Sequence, residues 1–312
     1  MPRPGWPRSA WAEGTRSRSR WSGSEASRGP VTSVAHDWVG LLGRLLLFSL
    51  IALTVGWLAA LIAPRALSWS ALPWLLAAVV AARALRRIEG RPHTPLGFRL
   101  DRLAPRDAAL GLALGVAVAL AAVAAIALAG GVRWRGDAGT PLDWARAALG
   151  ALWLLAIPAA AEEALLRGYP LQALAEGAGP LWALGITSVG FAALHLPNPG
   201  IGPVALANLA AAGLFLGALY LRTGSLWWAT GAHLGWNWAL AFLVDLPVSG
   251  LEMVDAPLLE PETSGPAWLS GAAFGPEGSV LAGVVLLAAA GWTWRTRWLG
   301  ESLAAADLAE ER

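Results

Sequence analysis

Glu162 and Glu163 stand side by side in Ala161-Glu162-Glu163-Ala164-Leu165-Leu166-Arg167-Gly168, directly after the apolar run Ala147–Ala160. A charged side chain at the centre of a bilayer costs from about 2.5 kcal/mol to well over 10. Charges kept there face a protein interior or a water-filled cavity and mark a functional site. Two of the four histidines also lie in apolar runs, in Phe191-Ala-Ala-Leu-His195 and His233-Leu-Gly-Trp-Asn237, whereas His36 and His93 sit in polar flanks. A single intramembrane histidine is often a hydrogen-bonding link between helices. Two of them beside a double glutamate point to chemistry. A glutamate held away from bulk water can act as a general base and, with one histidine, deprotonate a water. A second histidine and an asparagine can support a developing oxyanion. These parts suffice for peptide-bond hydrolysis without a covalent nucleophile. Other protease chemistries fit badly, because the chain has no His-Glu-x-x-His motif, no pair of intramembrane aspartates and no Gly-x-Ser-x-Gly elbow.

Spacing divides the roles. Residues at i and i+4 share a helix face, which groups Phe191 with His195, His233 with Asn237, and Glu163 with Arg167 in the favourable acid-before-base order. Glu162 projects roughly 100° away from Glu163. Glu163 is therefore expected to pair with Arg167, leaving Glu162 free to react. Gly168 and Pro170 are expected to break or bend the helix just past the charged turn.

The elements that must position these side chains are membrane spans. The chain has 312 residues, 56% of them hydrophobic and 14% charged, and the apolar residues are bunched into runs. That excludes an ordinary soluble domain and predicts an all-α, polytopic transmembrane helical bundle. There is no cysteine, hence no disulfide framework. All 23 basic residues are arginine. A length of about 20 apolar residues per crossing predicts about eight spans. They fall near 42–63, 67–85, 108–131, 148–174, 179–197, 204–221, 225–245 and 279–294. The Arg-, Ser- and Pro-rich segment 1–36 is expected to be disordered, a basic cytoplasmic flank and not a nucleic-acid site. Spans fill 37–143, the polar residues occupy a core at 144–245, an arginine-free acidic loop covers 246–278, and 279–312 holds the last span and a tail. Arginine placement puts both termini in the cytoplasm and 246–278 outside. Simple alternation sets His195 toward the outside and His233 toward the inside, so tilt or the break at Gly168–Pro170 must bring them to one depth.

In order, the motifs Glu162-Glu163-x-x-x-Arg167, Phe191-x-x-x-His195 and His233-x-x-x-Asn237 resemble the CPBP family of intramembrane CAAX-type proteases and bacteriocin-processing or self-immunity (Abi) proteins. The segment from Gly213 to Leu226 is also similar to that family, and the resemblance covers roughly 148–245. It implies a helical bundle in which Glu162 and His195 activate water while His233 and Asn237 support the substrate carbonyl. Glu163, Arg167 and Phe191 are the supporting residues. The implied function is an endopeptidase acting on a membrane-associated protein or peptide, in a bilayer that is expected to be a bacterial plasma membrane. The alternatives are a non-catalytic immunity or scaffold protein of the same fold, and an ion- or proton-coupled transporter.

Metal is not expected to be required. If a divalent metal such as zinc is used, Glu162, His195 and His233 would be its ligands, and the family is often labelled metalloprotease on that ground. Using Glu162 as ligand would leave the base role to Glu163, which the spacing assigns to Arg167. Phe191 and Asn237, the same-face neighbours of the histidines, supply no carboxylate to orient a zinc-bound ring, although a backbone carbonyl could serve.

Overall fold

Within a bilayer every backbone N–H and C=O must be satisfied inside its own segment, so long apolar runs can only be helices. The computed structural model describes residues 38–63, 70–93, 96–296 and 298–299. The tail at 1–36 and most of the expected C-terminal tail lie outside the described residues. The helices α1 (Trp38–Ile62), α2 (Leu72–Ile88) and α3 (Ala104–Leu128) lead to a short strand, β1 (Val132–Gly136). Next comes α4 (Pro141–Glu163), which continues through a π-helical turn, Ala164–Gly168, into α5 (Tyr169–Gly177). The chain goes on through α6 (Pro180–Leu194), α7 (Pro203–Thr223) and α8 (Leu226–Trp238), which ends in a second π turn, Ala239–Leu243. A second strand, β2 (Leu259–Thr263), a short α9 (Ala267–Ser270) and α10 (Val280–Arg295) complete the order.

The molecule is predominantly helical, as the composition requires. Among the described residues, four helical stretches are long and apolar enough to cross a bilayer: Trp38–Ile62, Ala104–Leu128, Pro141–Gly177 and Pro203–Thr223. Pro180–Leu194 and Val280–Arg295 are apolar but shorter. The expected number of eight spans is thus not confirmed by length. The 37-residue stretch Pro141–Gly177 is the opposite case. At 1.5 Å per residue it is about 55 Å long, well beyond a hydrocarbon core of about 30 Å.

Glycine decides which helices touch most closely. Gly111 and Gly115 of α3 face α8, where a Cβ would meet the carbonyl oxygens of Trp228 and Ala232. Gly231 and Gly235 of α8 face back, where a Cβ would meet those of Ala108 and Leu112. Two small-x-x-x-small faces therefore bring the backbones of α3 and α8 together, the packing that replaces the hydrophobic effect between helices in lipid. On α7, Gly213 lies where a Cβ would stand 2.7 Å from Ser188 Cα, which admits α6 just as closely.

The strands β1 and β2 pair antiparallel, from Val132 with Thr263 to Gly136 with Leu259. This pairing puts the linker after α3 and the acidic 246–278 segment on one side of the bundle. Arg133 and Arg135 both reach Glu262, at 2.9 and 2.6 Å, so the acidic segment shares a carboxylate with both arginines of β1.

At another place the sequence reading needs correction. Arg86 falls one residue beyond the span expected near 67–85, yet α2 extends past it and leaves it 1% exposed. Its guanidinium donates to Glu89 at 3.0 Å, Gln172 at 2.7 Å and Glu176 at 3.2 Å, joining α2 to α5. Arg44 of α1 also reaches Glu89, at 3.4 Å, and Tyr169 donates to it at 2.5 Å.

Candidate active site

The glutamate pair is carried at the end of α4. Thr140 starts this helix with a reciprocal capping box, its hydroxyl accepting the Asp143 N–H at 3.2 Å while Asp143 accepts the Thr140 N–H at 3.3 Å. Pro158, inside the helix, takes its N–H out of the ladder one turn before Glu162. Immediately after Glu163 the helix widens into the π turn, a feature common at functional sites. The backbone leaves helical geometry at Gly168, where ψ is −119°, and resumes at Tyr169 with Pro170 in the new first turn. The expected break is present and follows the charged turn.

Glu163 and Arg167 are both fully buried and paired at 3.0 Å, as their spacing predicts. Arg167 also donates to the Gly213 carbonyl of α7 at 3.3 Å, and its guanidinium lies 4.6 Å from the centre of the Phe191 ring. The same Glu163 oxygen that holds Arg167 also receives His233 Nδ1 at 3.0 Å. Neither same-face neighbour supplies a carboxylate, yet His233 has one in Glu163. The partner comes from across the bundle, where i, i+4 spacing cannot show it.

His195 closes α6 as its C-cap, and its ring folds back so that Nδ1 meets the Phe191 carbonyl at 2.8 Å. His195 and His233 both stand within 4 Å of Glu162 Oε2, so the bundle brings the two histidines together. Phe191 lies against both rings, with centroids 4.8 Å from His195 and 5.5 Å from His233. A carbonyl and a carboxylate only accept hydrogen bonds, so both Nδ1 atoms are assigned as donors. When the rings are neutral, this tautomer leaves both Nε2 lone pairs free.

Both lone pairs converge on one atom. Glu162 Oε2 lies 3.8 Å from His195 Nε2 and 3.9 Å from His233 Nε2, and it has no hydrogen-bond partner among the described residues. A cavity of about 570 Å³ opens here, lined by Glu162, Phe191, His195, His233 and Asn237. Glu163 and Arg167 do not line it and act from behind its wall. The set is looser than a metal centre: among the described residues no group of three or more His, Cys, Asp or Glu side chains could hold a metal ion. Further walls come from outside the motif segment, including Trp74 of α2, Leu286 of α10, Ser249 and Glu277. None of these carries a local signal in the sequence. Glu277 reads there only as one of the charges that set topology.

The fold and site together define a polytopic helical membrane protein in which the Glu162 carboxylate and two imidazoles meet at a cavity. Residues 144–239 match the family model described as Type II CAAX prenyl endopeptidase Rce1-like, and this segment, about a third of the chain, supports the CAAX-protease-like (CPBP) family. The family implies a peptide hydrolase of the intramembrane type. No curated protein and no solved structure matches the chain.

Proposed function

We propose that the protein cleaves a peptide bond in a membrane-associated protein or peptide, with a water activated by Glu162 and His195. The observation that carries this reading is the free Glu162 oxygen facing two imidazole lone pairs at 3.8 and 3.9 Å on the cavity wall. Separations just beyond direct hydrogen bonding are those that one water bridges. His195 orients the water through its Nε2 lone pair, Glu162 takes the proton as the water attacks the carbonyl, and Glu162 then returns that proton to the leaving amine as the C–N bond breaks. Asn237, one turn beyond His233 on α8 and lining the same cavity, faces the developing oxyanion. His233 donates to that oxyanion only as an imidazolium, because its Nδ1 proton is committed to Glu163.

The test is cleavage of a membrane-anchored reporter in proteoliposomes, comparing wild type with Glu162→Gln. Cleavage by wild type and none by the variant is the expected result. A folded wild type that cleaves no reporter, or a variant that cleaves as fast, overturns the reading. Metal analysis of the active protein tests the cofactor: stoichiometric zinc, with activity lost on chelation and restored by zinc, would make Glu162, His195 and His233 ligands.

A further inference from the structure

We infer that Glu277, outside the matched segment, is a positioning residue that fixes both histidine-bearing helices around the cavity; this rests on the hydrolase reading above. Glu277 lies in the 3₁₀ turn Pro276–Gly278 just before α10 and is 5% exposed. Among the described residues no ion pair includes it. Three donors satisfy its carboxylate instead: Trp236 Nε1 at 3.1 Å, the Ser249 N–H at 2.5 Å and the Ser249 hydroxyl at 2.8 Å. A carboxylate buried among neutral donors is expensive to place, so what it holds is informative.

It holds two lines of connection. Along the first, Trp236 lies on α8 between His233 and Asn237, so its indole fixes the turn that presents both. Along the second, Ser249 adopts a left-handed backbone, with φ 50°, that a non-glycine residue takes only when held there. The Ser249 carbonyl accepts from Asn198 Nδ2 at 3.0 Å, and the Asn198 N–H returns to the His195 carbonyl at 2.9 Å. One carboxylate is thus linked by hydrogen bonds to the turn after His195 and to the turn after His233. Its own backbone is anchored in addition, since Asn208 of α7 donates to the carbonyls of Glu277 and Ser279 at 2.7 Å each. Ser249 and Glu277 both line the cavity.

The variant Glu277→Gln keeps the volume but puts an N–H₂ in place of one accepting oxygen, so either Trp236 Nε1 or the Ser249 N–H loses its acceptor. Its kcat should fall on the order of 100-fold with KM within about threefold, the pattern of misplaced reacting groups and not of lost binding. Ser249→Ala and Trp236→Phe each remove one donor and should fall less. Glu262→Gln, in the exposed strand pairing, is the control. Hydrogen exchange supplies a readout independent of turnover: Glu277→Gln should speed exchange at 196–200 and 246–251 and leave α1 and α2 unchanged. Wild-type kcat per folded molecule, or unchanged exchange in both segments, overturns the inference. An inactive wild type would count against the hydrolase reading, and the exchange comparison would still decide whether Glu277 holds these segments.

Discussion

Two buried arginines, Arg86 and Arg167, show the same device put to different ends. Each guanidinium lies over an aromatic ring, Arg86 at 5.1 Å from the centre of Tyr169 and Arg167 at 4.6 Å from that of Phe191. Arg86 belongs to a network that spreads outward. Its carboxylates Glu89 and Glu176 are also held by Arg44 and Arg91, whose side chains are 36% and 40% exposed. Arg167 is paired inward with Glu163, which is fully buried and spends the same oxygen on His233. The first arrangement ties α1, α2 and α5 into a scaffold. The second transmits the scaffold to an imidazole at the cavity. The difference teaches that a buried ion pair near a site is recognised less by its burial than by what shares its carboxylate.

Substitutions can break this comparison, beginning with the largest effect. Removing the reacting groups themselves, by Glu162→Gln or His195→Ala, should lower cleavage by roughly 10²–10⁴-fold, the usual contribution of a general acid or base. The thermal midpoint should barely move, and a collapse in folded protein would show these residues to be structural. Arg167→Ala should come next, destabilising by about 3–5 kcal/mol because it strands a buried carboxylate. It should also slow turnover per folded molecule, since Glu163 no longer holds His233 in one place. Thermal unfolding in detergent, combined with an active-fraction measurement, reads both effects; an Arg167→Ala protein as heat-stable as wild type refutes the pairing role.

Arg86→Ala should cost less, about 1–3 kcal/mol, because water and the remaining arginines can reach Glu89 and Glu176. Its rate per folded molecule should equal that of wild type. If Arg86→Ala is the more damaging of the two to catalysis, the contrast is reversed. Smallest of all, Arg133→Gln breaks an exposed pair and should change stability by less than about 1 kcal/mol, an effect that salt erases. Ser264→Cys serves as a silent reference on a chain with no native cysteine, and the acidic loop predicts labelling only from the extracytoplasmic face. Labelling only from the cytoplasm inverts the proposed topology.

The same two arginines mark how far the sequence could be read. Arg167 sits at i+4 from Glu163 in an apolar run, so local periodicity alone predicts its pair. Arg86 follows an apolar run at its end, where counting arginines for orientation treats every charge as solvated. Its burial depends on Gln172 and Glu176, which lie far along the chain. The contact of His233 with Glu163 escaped for the same reason, since the two are 70 residues apart. Helix lengths were legible only where a run was uninterrupted, because π turns and short helices do not follow a ruler of about 20 residues. The opposed glycines of α3 and α8 stood in plain view as Gly111-x-x-x-Gly115 and Gly231-x-x-x-Gly235, but a pattern on one helix does not name its partner.

Those glycines carry a mechanical consequence. Where main chain rests on main chain, no side chain is left to swing aside, so α3 and α8 form the fixed jaw of a vice. His233 and Asn237 are mounted on that jaw. The lining that α2 and α4 contribute to the cavity of about 570 Å³, through Trp74, Leu154 and Pro158, lies outside that contact, so any adjustment of the cavity falls there and not on His233 and Asn237.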